Sequence, residues 1–344
     1  DAGRAHHIGL ENRFYARMTK FLREEVGARQ LFTDLNGWSC SALWAPCRTA
    51  FDYVDMHFYV DHPRFIEQSW KLPSECANEV PFSKDVPNGV SWAGKCRIPG
   101  KPFTITEWNF AAPGKYRGVG GIVTGAWAAR EDWDGLWRFA WSHSVDGVRN
   151  PCGQELDYFD MSGDPLSLAG ERASMCLFLR GDIAPGDESA LRVDGRAGTM
   201  VIDTARTAGG FAKRGKVSAG RLSADISGAP ATVWASSIDG LPLGRSRRIL
   251  VTHLTDVQNT GTLFADDSMK VLLDWGRLPH LMRVGVADVS LDVEGGSFKA
   301  YVLDADGTRR GEVPLRIVDG KLTFTADVAR DGRTASYLYE IVRQ

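Results

Sequence analysis

The stretch Val54-Asp55-Met56-His57-Phe58-Tyr59 decides how this chain is read. Side chains alternate along a strand, so Asp55, His57 and Tyr59 share one face and Val54, Met56 and Phe58 the other. An apolar face opposite three polar side chains suits a parallel sheet covered by helices on one side, with an enclosed interior or a crevice on the other. The trio has two readings, a hydrogen-bonded structural cluster or part of a site at a strand's C-terminal end, where barrel enzymes place their chemistry.

The next strand downstream, Pro102-Phe103-Thr104-Ile105-Thr106-Glu107-Trp108-Asn109, raises the second reading. Strict alternation puts Phe103, Ile105 and Glu107 on one face. A carboxylate at the end of a buried strand must be paired or functional, because burying it alone costs several kcal/mol. In Trp137-Arg138-Phe139-Ala140-Trp141-Ser142-His143, the same alternation aligns Trp137, Phe139 and Trp141.

Around these lie a helix over Ile8–Val26 ending at Gly27, and strands over Gln30–Leu35, Tyr53–Tyr59, Pro102–Glu107 and Leu136–Trp141. A Gly- and Ala-rich helix spans Val119–Trp133, and another opens at Asp164-Pro165, an N-cap and first-turn pair. Four strands alternating with helices predict a parallel β/α domain over residues 1–184. Past Pro185 the pattern becomes all-β, with short strands such as Thr199–Ile202, Ala231–Trp234, Arg248–His253, Val271–Trp275, Ser297–Val302, Leu322–Ala326 and Ser336–Ile341. That spacing predicts a β-sandwich over residues 185–344.

Composition narrows the function. The 344 residues are 43% hydrophobic and 24% charged, with formal net charge −2, as in ordinary globular proteins. Nothing there points to a nucleic-acid or membrane partner. Eleven Trp are a weak pointer to sugar stacking, since most Trp build cores. Six scattered cysteines have no C-x-x-C spacing, so free thiols are expected, with a Cys76–Cys96 disulfide as the alternative. His6-His7 point apart on a helix, and no metal is expected. Ser142 or Ser144 with His143 could suggest a serine hydrolase, but there is no G-x-S-x-G elbow. Gly118-x-Gly120-Gly121 does not have the spacing of a phosphate loop.

Asp55-x-His57-x-Tyr59, Ile105-Thr106-Glu107-Trp108-Asn109 and Phe139-Ala140-Trp141-Ser142-His143, in that order, resemble strands six, seven and eight of the clan A (β/α)8 glycoside hydrolases. Trp133 to Phe139, Asp164 to Asp182, and Arg247 to Asp256 with Asp274-Trp275-Gly276 and Pro279 resemble a cellulase-like bacterial subgroup with an appended C-terminal β-sandwich. The resemblance implies the C-terminal half of a TIM barrel, strands five to eight, followed by that sandwich. It makes Glu107 the nucleophile of a retaining enzyme and Tyr59 its hydrogen-bond partner. His57 and Trp141 would line the sugar subsite, Asp55 would orient His57, and Trp108 and Asn109 would contact substrate or support the site.

A retaining enzyme also needs a carboxylic acid about 5–5.5 Å from the nucleophile. In clan A it is a Glu following an Asn at the end of strand four. Glu11-Asn12 reverses that order inside a helical pattern, so the acid/base is expected upstream of Asp1 and the polypeptide alone is expected not to turn over normally. The resemblance further implies a carbohydrate substrate, no cofactor, and a secreted or periplasmic location. The rival reading is a non-catalytic carbohydrate-binding or structural protein with a degenerate barrel.

Overall fold

The structure is a computed structural model, and it describes residues 2–344 apart from 40, 42, 84 and 319. Helices and sheets are mixed, and the chain divides into two compact units. The smaller comprises residues 1–59, 89–109 and 133–139; the larger comprises 60–88, 110–132 and 140–344.

The smaller unit opens with helix α1, Ala2–Glu24, after which Gly27 turns left-handed at φ 73°. Its apolar stripe is exposed, Phe14 at 55% and Phe21 at 50%. Tyr15 ties it inward, packing on Phe51 and donating to the Phe32 carbonyl at 3.1 Å, and Arg23 pairs with Asp52 at 3.2 Å and lies over the Phe32 ring. A sheet of three strands follows in the order β1 (Val54–Val60), β2 (Phe103–Phe110), β3 (Gly135–Arg138). Strands β2 and β3 are parallel. β1 runs the same way as β2, since its contacts climb both strands together: Val54 to Pro102, Asp55 to Thr104 and Thr106, Tyr59 to Glu107.

The strand expected over Gln30–Leu35 does not form. The groups a ladder would use are taken elsewhere. The Phe32 N–H donates to the Asp52 carboxylate, the Phe32 carbonyl accepts from both Tyr15 and the Asp52 N–H, and Leu35 turns left-handed at φ 55°. The parallel sheet among the described residues therefore has three strands, and it does not close into a barrel. β3 is also shorter than expected, and Trp141 lies beyond its end.

In the larger unit, helix α2 (Gly120–Arg130) packs on α3 (Pro165–Ser174). The approach requires glycine: a Cβ on Gly121 would lie 2.1 Å from the Gly170 carbonyl oxygen, and one on Gly125 2.5 Å from the Ser174 Cα. Asp164 caps α3 by accepting from the Leu166 N–H, as its position before Pro165 predicts. Arg117 is buried between Asp164 at 2.8 Å and Asp256 at 3.4 Å.

The C-terminal region of this unit consists of two antiparallel sheets sharing one hydrophobic core. The eight-stranded sheet includes Thr199–Asp203, Thr207–Ala212, Ala231–Ser237, Arg248–Leu254, Phe298–Leu303 and Leu338–Arg343. The five-stranded sheet includes Leu222–Ser227, Val286–Asp292 and Lys321–Asp327. Val233, Val251 and Ile341 from the first meet Val289, Leu291 and Leu322 from the second in that core. Val271–Asp274 belongs to a separate small sheet with Leu263–Phe264, Ser74–Glu75 and Arg64–Phe65.

Cys96 is disulfide-bonded, but not to Cys76, whose thiol is free. Burial, reinforced by the nearby Asp61, pushes the Cys76 thiol up to about 12.

Candidate active site

The polar face of β1 and β2 is built around a β-bulge. Thr104 pairs with Gly135, Ile105 with Leu136, and then Trp108 with Arg138. Two residues of β2, Thr106 and Glu107, thus oppose the single residue Trp137 of β3. Alternation resumes past the bulge with its parity shifted by one. Phe103, Ile105, Trp108 and Phe110 are all buried, whereas Thr104, Thr106 and Glu107 are not. Glu107 therefore does not share a face with Phe103 and Ile105, as strict alternation predicts. It projects with the two threonines toward Asp55, His57 and Tyr59.

Contacts on that face form a connected series. The Tyr59 hydroxyl donates to Glu107 Oε2 at 2.6 Å. Burial, together with that bond and the negative charge beside it, holds the phenol well above its ordinary range, so Tyr59 remains a donor. Phe139 stands edge-on to the Tyr59 ring at 6.2 Å. His57 places Nδ1 3.3 Å from the same Glu107 Oε2 and Nε2 3.0 Å from Thr106 Oγ1.

Asp55 is 1% exposed and accepts from the hydroxyls of Thr104 and Thr106, both at 2.5 Å. A hydroxyl has one proton to donate. Thr106 gives its proton to Asp55, so it must accept from His57, which assigns a proton to Nε2 of the ring. A second proton, on Nδ1, would pair the imidazolium with Glu107. Gly37, left-handed at φ 71°, brings loop backbone alongside; a Cβ there would lie 3.5 Å from His57 Nδ1. The Glu107 side chain keeps 34% of its surface exposed, so a ligand can reach it.

The structure thus brings Asp55, His57, Tyr59 and Glu107 together. Trp108 does not join them: it is 1% exposed on the opposite face, stacked on Phe58 at 5.9 Å and under Arg138 at 4.2 Å. Asn109 is also buried, and donates to the Phe139 carbonyl at 2.6 Å. Trp141, half-exposed, belongs to the larger unit. Sequence reasoning missed Thr104, Thr106 and Phe139. The two threonines were legible as hydroxyls spaced like Asp55 and His57, but only a known register identifies their partners.

In the larger unit His143 pairs with Asp160, and Ser142 Oγ also donates to Asp160, at 3.1 Å. A serine nucleophile needs its base on the hydroxyl, so this arrangement is not a Ser–His–Asp triad. Among the described residues no cluster of His, Cys, Asp and Glu could hold a metal, and no helix is long and apolar enough to cross a membrane.

No family profile and no curated protein matches the chain. Among solved structures, a family 39 glycoside hydrolase from the gut symbiont Bacteroides cellulosilyticus WH2 is similar at a TM-score of 0.32 and 9% identity. The alignment covers 89% of this chain and 48% of that one, so the chain spans less than half the length of that hydrolase.

Proposed function

We propose that this chain carries the nucleophile of a retaining O-glycosyl hydrolase acting on an oligosaccharide or polysaccharide. The observation that supports this most is the 2.6 Å bond from the Tyr59 hydroxyl to Glu107 Oε2 on a partly exposed carboxylate. A carboxylate oriented by a donor that stays protonated can attack an anomeric carbon. In that step a Glu107 oxygen forms an ester bond to the sugar while the glycosidic C–O bond breaks. The departing oxygen takes a proton from a general acid, and water later cleaves the ester.

Within the reading, His57 contacts the sugar and Asp55 orients His57. Residues 1–184 contribute strands to a (β/α)8 barrel and residues 185–344 form an appended β-sandwich. Formation of the ester from an activated glycoside needs no general acid, so the nucleophile can be tested by itself. A secreted or periplasmic location accords with the disulfide at Cys96.

The test uses 2-deoxy-2-fluoro glycosides of glucose, xylose and mannose with a dinitrophenolate leaving group, which departs without acid assistance. The expected result is one fluoroglycosyl adduct per chain on the peptide containing Glu107, absent in Glu107→Gln. An adduct elsewhere, an equal adduct in the variant, or no adduct with any of the three overturns the proposal.

A further inference from the structure

The larger unit carries an aromatic feature that the Glu107 site does not explain. Trp70 is 65% exposed, and its backbone is left-handed at φ 63°. A bulky L-residue in that conformation is strained. So exposed a ring offsets little of that strain by burial.

The base beneath it is firmly built. Phe65 lies 5.0 Å from the Trp70 ring and Phe159 6.2 Å from it, with Tyr158 edge-on to Phe65 at 5.6 Å and Trp275 behind Tyr158 at 4.8 Å. The loop's two ends, Arg64–Phe65 and Ser74–Glu75, pair as strands and extend the sheet through Val271–Asp274. The Tyr158 hydroxyl donates to Ser74 Oγ at 2.8 Å, and Arg64 pairs with Glu75. At the loop's tip Glu67, Gln68, Ser69 and Lys71 are exposed beside the ring.

We infer that Trp70 is a carbohydrate-stacking platform: its indole takes the C–H face of a sugar ring while the polar tip residues meet the hydroxyls. An exposed aromatic ring whose neighbours along the loop present exposed amide, hydroxyl and charged groups matches a pyranose, which has apolar faces and a polar rim. A protein partner is less well matched, since stable interfaces bury about 800 Å² per side and a single ring set in polar residues is far smaller. The choice of ligand class rests on the glycosidase reading, but the platform and its test do not depend on Glu107.

The experiment measures binding of cellohexaose, xylohexaose and mannohexaose by calorimetry, using the Glu107→Gln chain so that nothing is consumed. At least one probe is expected to bind. Trp70→Gly is expected to weaken it about tenfold or more, and Trp70→Phe to weaken it less. Because glycine relieves the left-handed strain, Trp70→Gly is also expected to hold or raise the Tm. Unchanged affinity in Trp70→Gly, or a Tm lowered by several degrees, would make Trp70 a packing residue and overturn the inference, as would no binding of any probe by the parent. Binding that depends on Trp70 without adduct formation at Glu107 would instead refute the glycosidase reading and leave the platform standing.

Discussion

His253 gives the sharpest quantitative expectation. It lies at 0% exposure in the strand Arg248–Leu254. Burial lowers its pKa from 6.5 to about 4, against the opposing pull of Asp327 and the Ala326 backbone. Above pH 6.5 the ring is neutral in both folded and unfolded chains, and the linkage term is flat. As pH falls below 6.5 the unfolded chain binds a proton that the folded chain refuses until about pH 4, so stability is lost across that window. The separation corresponds to about 3 kcal/mol when complete, of which about 2.5 kcal/mol is lost by pH 4.5. Asp61 works in the opposite sense. Burial pushes its carboxyl up to about 6, so its contribution is present at low pH and lost as pH rises through that value. Parent and variant must therefore be compared at each pH. His253→Gln, which cannot titrate, is expected to lose about 2.5 kcal/mol less than the parent between pH 7 and 4.5 in urea unfolding followed by near-UV circular dichroism. Equal losses would show that His253 takes up its proton in the folded state as readily as in the unfolded one, refuting the assignment.

Tyr59→Phe removes a hydrogen bond to a charged acceptor, worth about 1.5–3 kcal/mol, so it should lower stability by up to that amount in urea unfolding and slow fluoroglycoside labelling of Glu107 roughly 10- to 100-fold. Thr106→Val takes the acceptor from His57 and a donor from buried Asp55. It should destabilise the fold by about 1–3 kcal/mol in urea unfolding and slow labelling less than Tyr59→Phe does. Arg117→Met leaves Asp164 and Asp256 buried without their shared guanidinium and should cost about 3–5 kcal/mol. The same change at Arg283, which is half-exposed and 3.7 Å from Asp256, should cost under about 1 kcal/mol. Gly125→Val, which drives side-chain atoms into the Ser174 backbone, should lower the Tm by several degrees or prevent folding.

Alternation read well where the ladder is regular. It put Asp55, His57 and Tyr59 on one face, and the structure has all three there. It failed at Glu107 because a bulge inserts a residue without altering the composition that signals a strand. Ile105-Thr106-Glu107-Trp108 looks the same with or without one. The Gln30–Leu35 stretch carries strand-forming residues, yet its backbone bonds are decided by Asp52 and Tyr15, distant in sequence. Thr207–Ala212, rich in glycine, carries little local strand signal. In the structure it is a buried strand in which a Cβ on Gly210 would lie 2.0 Å from the Met200 carbonyl oxygen. Close approach of neighbouring strands is a tertiary fact that local propensity does not carry. The helical stripe of α1 predicted the helix, but burial depends on what packs against it.

The bulge in β2 separates two demands that usually conflict in a single strand. On both sides of Thr106-Glu107 the apolar residues keep their pairing with β3, so the packed side of the sheet is indifferent to the extra residue. A strand of this kind can gain a reactive carboxylate by a one-codon insertion, with no core position rewritten. The same change in reverse could remove it. Deleting Thr106 would leave Glu107 as the sole residue between Ile105 and Trp108, still facing Tyr59 but without the hydroxyl that links His57 to Asp55. Deleting Glu107 would leave an unbroken, silent strand. Descendants of this sheet could therefore acquire or lose the group in single steps while folding alike.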